Sequence, residues 1–154
     1  MLNIQTIKEI KKVKKPWGQE IWYAGPHTKS KYVLKKIFIK SNYSSSIQFH
    51  EKKEETITII EGTGYLIYRN KPIDIKKFKQ KKYSESDITK IIKSLKKVKI
   101  KKNFVFTIKP GYIHSILSTN NIVFYEASTT EVDDVFRLRD VFGRGHGRIK
   151  KEHE

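Results

Sequence analysis

The sequence predicts an all-β domain, a sandwich or a barrel. Three observations carry this: short strand-like runs recur along the chain, glycine and proline punctuate them, and no alternating strand–helix rhythm is present. With 154 residues, one domain around one hydrophobic core is expected, and 37% hydrophobic and 12% aromatic content is enough to build it.

A lysine-rich arm is expected over residues 1–15, a single domain over 16–145 and a flexible tail over 146–154. After the arm, PWGQEIWYAG reads as a short aromatic strand closed by Gly25 and Pro26, with Trp17 and Trp22 as core or dimer contacts. YVLKKIFIK (32–40) reads as a second strand, followed by a Ser/Asn turn and then IQFH. EETITIIEG is the next strand, and Gly62 and Gly64 predict a hairpin turn into YLIYR. Asn70-Lys71-Pro72 predicts a turn into a lysine-rich stretch. Ile88, Ile91, Ile92 and Leu95 then fall on one helical face, predicting a helix near residues 86–97 that covers one side of the domain, capped by Ser84 or Ser86. FVFTI, IHSIL and NIVFYEAS return to strand.

The chain contains no cysteine, which excludes disulfides, thiolate metal sites and cysteine nucleophiles. No apolar run approaches the roughly 20 residues of a membrane span, and the N-terminus carries no apolar core of a secretory signal, so a cytoplasmic location is expected. The net charge is +17, yet only five of the 33 basic residues are arginine. Arginine is the usual reader of phosphate and base edges, and no nucleic-acid-binding motif accompanies the lysines. A solvated lysine surface is the expectation, and the glycines of GRGHGR follow no strand and open no helix.

Gln48 and His50, two apart on a strand, face one way, while Ile47 and Phe49 face the other. Glu55 shares the parity of Ile57 and Ile59 and is the inward candidate of the Glu54–Glu55 pair. His114, four residues after Pro110, is the distant histidine available to complete the set. Two imidazoles, a carboxylate and an amide oxygen suit Zn²⁺, Fe²⁺, Mn²⁺, Co²⁺ or Ni²⁺ and are too nitrogen-rich for Ca²⁺.

HEKKEETITIIEG resembles the first cupin motif, in which four residues separate a histidine from a glutamate and six more separate that glutamate from a glycine: His50, Glu55 and Gly62. KPGYIHSI resembles the second, through Pro110, Gly111 and His114. Gln48 replaces the motif's first histidine, as in metal-dependent mannose-6-phosphate isomerases of cupin fold. KPWGQEIWYA, SIQFHEKKEETITIIEGTG and YEASTTEVDDVFRLRDVFGR together resemble small single-domain cupins grouped with type II mannose-6-phosphate isomerases; residues 71–102 lie outside the resemblance.

The resemblance implies a cupin-type double-stranded β-helix, a jelly-roll barrel, with metal ligands Gln48, His50, Glu55 and His114 and zinc as the leading metal. It implies aldose–ketose isomerisation of a sugar phosphate, with a homodimer as the expected assembly. Arg137 and Arg144 are the candidate phosphate holders, the alternative being that they pair with Asp133, Asp134 or Asp140. The catalytic base stays unassigned, with Glu54 and Lys36 both conceivable. Rival functions are a sugar-binding cupin without turnover, a metal-dependent oxygenase, and a metal-free nucleotide-sugar isomerase or epimerase.

Overall fold

The computed structural model describes residues 2–139 and 147–149. Ten strands form one curled antiparallel sheet: β1 (Lys11–Lys15), β2 (Gly18–Ala24), β3 (Val33–Ile39), β4 (Ile47–Phe49), β5 (Glu55–Tyr68), β6 (Lys96–Lys101), β7 (Val105–Ile108), β8 (His114–Ser128), β9 (Val135–Arg139) and β10 (Gly147–Ile149). Two long strands organise it. The C-terminal half of β8 lies between β3 and β5, and its N-terminal end between β4 and β5. The free flank of β5 takes β7 along its first half and β6 along its second.

The result is an open half-barrel with jelly-roll character. The closed barrel expected from the sequence is not formed, because the outer edges of β1, β6 and β7 find no further strand partner among the described residues. Lysines along β6 discourage edge-to-edge pairing there.

The hairpin predicted at Gly62 and Gly64 is also absent. Strand β5 runs straight through both glycines, and β8 is likewise one strand where two short ones were expected. Gly62 has φ +78°, and a Cβ there would lie 2.3 Å from the Asn120 carbonyl oxygen. The glycine permits a bulge against a close partner backbone, and the β5–β8 register shifts between Ile59 and Gly64.

Strand alternation decides what faces inward. Val33, Lys35, Ile37 and Ile39 of β3 are buried, with less buried residues between them. The corresponding rows on neighbouring strands are Glu55, Ile57 and Ile59, and Ile122, Phe124 and Glu126. Trp17 and the isoleucines of these rows form the main core, and Trp22 is buried as well.

Phe49 points away from the cavity into a second core, where it stacks on Phe136 with ring centroids 5.1 Å apart. That core is capped by two helices, α1 (Ile75–Lys79) and α2 (Glu85–Lys93). The helix expected at 86–97 thus begins at Glu85 and stops at Lys93, since Lys96 already starts β6. Ser84 is its N-cap, accepting from the Asp87 N–H at 3.0 Å, while Asp87 closes a capping box. No helix of the described residues is long and apolar enough to cross a membrane.

Candidate metal centre

The half-barrel brings His50, Glu55 and His114 together, from the end of β4, the start of β5 and the start of β8. Two backbone links fix this meeting. Gln48 is the register partner of His114, and the Gly111 N–H donates to the His50 carbonyl at 2.7 Å. Gly111 adopts φ +82°, a conformation that glycine supplies at little cost in the turn just before His114.

Each imidazole is oriented from behind. His50 Nδ1 lies 2.5 Å from the Asp134 carbonyl oxygen, and His114 Nδ1 lies 3.0 Å from that of Tyr112. A carbonyl only accepts, so Nδ1 donates in both rings, and in the neutral tautomer Nε2 carries the lone pair. Both Nε2 atoms face the same carboxylate oxygen: Glu55 Oε1 is 3.5 Å from His50 Nε2 and 3.1 Å from His114 Nε2. A tetrahedral metal bound at about 2.0–2.1 Å holds its ligands about 3.3 Å apart, and the two separations from Glu55 Oε1 bracket that spacing. His50 Nε2 is buried and makes no hydrogen bond among the described residues. Three lone-pair donors converging in a buried place fit a divalent cation.

Gln48, the fourth expected ligand, also lines the cavity, and the Ser46 hydroxyl donates to its Oε1 at 2.6 Å. Arg137, on β9 beside Gln48, is buried but lines a separate groove next to the helices. Arg144 and Asp140 lie outside the described residues. Asp134 directs its carboxylate to the amides of residues 51–53, not to an arginine. Glu54 is exposed and Lys36 projects from the opposite face of β3, so neither conceivable base lines the cavity.

What sequence reasoning missed is a buried file of alternating charges leading from the candidate metal ligands. Lys53 Nζ lies 2.8 Å from Glu55 Oε2 and 3.1 Å from Glu126 Oε2. Lys35 Nζ follows, 4.0 Å from Glu126 Oε2 and 3.0 Å from Glu20 Oε1, and Lys15 Nζ lies 3.8 Å from Glu20 Oε2. Glu20 Oε1 also accepts from the Trp22 indole N–H at 3.0 Å, and Lys35 sits over that ring. Three ammonium groups thus balance three carboxylates. A signal existed for Lys35 and Glu20: each falls on the buried parity of its strand.

These contacts set the ionisation. Burial pushes the Glu55 carboxyl up, but the Lys53 ammonium and the His114 and His50 rings beside it outweigh it and hold Glu55 well below the usual range. Burial and then Lys53 lower His50, favouring the neutral ligand form. Glu126 is raised, chiefly by burial and secondarily by Glu55, against the opposing pull of Lys53 and Lys35.

No protein-family profile matches the chain, and a search of curated proteins returns no relative. Solved structures do match in fold. One is the capsular polysaccharide assembling protein CapF from Staphylococcus aureus, with TM-score 0.61 and 16% identity over 85% of this chain and 32% of that one. Ectoine synthase from P. lautus has TM-score 0.62 and 10% identity over 84% of this chain and 78% of its own. The polyketide cyclase RemF from Streptomyces resistomycificus has TM-score 0.61 and 14% identity over 91% and 87%. The chain spans about a third of the length of the CapF chains it matches. At such identities the likeness shows the fold alone, a jelly-roll architecture resembling that of cupins.

Proposed function

We propose that the chain is a divalent-metal-dependent cupin enzyme acting on a small, oxygen-rich substrate. The observation that supports this most strongly is the convergence of His50 Nε2, His114 Nε2 and Glu55 Oε1, with both rings pinned through Nδ1. In this reading Gln48 is a fourth donor. The metal, when bound, supplies positive charge that polarises a carbonyl or hydroxyl oxygen. Zinc is the leading choice, and Mn, Fe, Co and Ni suit the same donors.

The chain's own groups do the rest. Lys53 keeps Glu55 ionised and aimed, and Glu126 is the cavity carboxylate left over for proton transfer, the place that Glu54 and Lys36 do not fill. The cavity measures about 70 Å³, roughly five times the room one water needs. It accepts a group of a few heavy atoms, so a hexose phosphate enters with one end only.

Sugar-phosphate isomerisation is therefore the narrower reading. It is supported by the Gln-x-His arrangement and by a non-ligand carboxylate in the cavity. It requires a phosphate holder, and Arg137 faces the helix-side groove. The three neighbours named above are an assembling protein, a synthase and a cyclase, which favours a cupin enzyme of another reaction. Pairing into a homodimer belongs to the same reading, and light scattering tests it.

The functional test compares metal-loaded and chelator-stripped protein by NMR, against mannose 6-phosphate and a panel of small hydroxy and keto acids. The expected result is a metal-requiring conversion of one small substrate. Conversion of mannose 6-phosphate instead selects the isomerase. Protein that holds its metal and binds sugar without converting anything is a sugar-binding cupin, and the enzyme reading fails.

A further inference from the structure

We infer that Asp134 is a positioning residue for the metal centre, so that the site is complete only when the segment leading into β9 is docked on the loop between β4 and β5. This rests on the metal-site reading above. Residues 51–54, which separate His50 from Glu55, belong to no strand, and Asp134 and Thr129 hold them. The Asp134 carboxylate accepts three successive backbone N–H groups: Glu51 at 3.0 Å, Lys52 at 2.6 Å and Lys53 at 2.9 Å. Its carbonyl oxygen accepts from His50 Nδ1 at 2.5 Å. Thr129 closes the far end, accepting from the Glu54 N–H through Oγ1 at 3.1 Å and donating its own N–H to the Glu54 carbonyl at 3.0 Å.

One residue thus fixes two things at once. Its main chain sets the tilt and tautomer of the His50 ring. Its side chain sets the path of the loop that sends Lys53 inward and leaves Lys52 and Glu54 outside. The loop then delivers Glu55 to the start of β5 facing His50. Val132 and Val135, on either side of Asp134, line the same cavity, so the segment contributes a wall as well as a clasp. A group that orients a metal-bound histidine from behind commonly carries 10–100-fold in metal affinity.

The test measures zinc dissociation constants by chelator competition, and visible spectra after cobalt loading, for wild type, Asp134→Asn, Asp134→Glu and Ser84→Ala. Asparagine removes the anion that gathers the three amides. Glutamate keeps the charge, but its extra methylene shifts the carboxylate relative to the carbonyl. Both Asp134 variants are expected to weaken zinc about 10–100-fold and to alter the cobalt spectrum, which reports ligand geometry and not global stability. Ser84→Ala unties the α2 cap, and is expected to lower the melting temperature while leaving both metal readouts at wild-type values. Folded Asp134→Asn with wild-type affinity and spectrum overturns the inference; should that variant not fold, the same result for Asp134→Glu overturns it. A wild-type protein that takes up no metal is a different outcome, and it removes the metal-site reading itself.

Discussion

Lysine serves two opposite purposes in this molecule. In and beside the cavity, Lys15, Lys35 and Lys53 have side chains only 3–6% exposed, and each stands within 4.0 Å of a buried carboxylate. In the insertion, residues 71–102 hold thirteen lysines against three carboxylates, a net +10 of the chain's +17, and all thirteen are exposed. A buried ammonium is tolerated only where opposite charge and hydrogen bonds replace its lost hydration, so the cavity lysines are tied to geometry. The exposed ones keep their water, and cover β6 and the two helices without needing a buried partner. The net charge describes the second population and conceals the first.

The sharpest way to break that comparison is to remove one lysine from each region. Lys53→Ala leaves Glu55 and Glu126 buried without the ammonium between them, and a loss of about 3–5 kcal/mol is expected in urea unfolding. A loss under about 1 kcal/mol would mean that the two regions do not differ as described.

Acidification is expected to act next. His50 is held below its usual value by burial and Lys53, and Asp134 is lowered because the amides of residues 52, 51 and 53 outweigh its burial. Each depressed group binds fewer protons in the folded state, so stability rises with pH wherever it titrates. In metal-free protein, the melting temperature should begin to fall below about pH 6.5, as unfolded His50 takes up protons, and fall further below about pH 4, through Glu55 and Asp134. A flat profile between pH 7 and 4 would contradict this, and Asp134→Asn should reduce the lower part, leaving the share of Glu55. The smallest effect belongs to the insertion: Lys96→Gln and Lys99→Gln should each lie within about 0.5 kcal/mol of wild type.

The cavity-facing residues were legible in the sequence because strand parity is a two-residue rule. Gln48 with His50, and Glu55 with Ile57 and Ile59, declare their face without any knowledge of the partner strand. The same rule marks Lys35, between Val33 and Ile37, as inward, although its charge argues the other way; parity was the stronger signal. Lys53 and the clasp by Asp134 were not legible, since a loop has no periodicity and its partner lies some eighty residues later. Gly62 carried a real signal that is ambiguous in kind, because a positive φ serves a bulge as well as a hairpin. Helix α1 had a local sign in Asp74, which accepts from the Lys77 N–H, but the surrounding lysines hide its short apolar face. Closure of the barrel depends on whether distant edges meet, and no local pattern encodes that.

The central claim is tested most directly by metal content. Untagged protein purified without chelator is measured by inductively coupled plasma mass spectrometry beside a His50→Ala, His114→Ala double variant. Near-stoichiometric Zn, Mn, Fe, Co or Ni in the first, lost in a still-folded second, is the predicted result. A wild-type protein that carries no metal, and takes none up when it is supplied, would contradict the claim and leave the cavity as a closed network of paired charges.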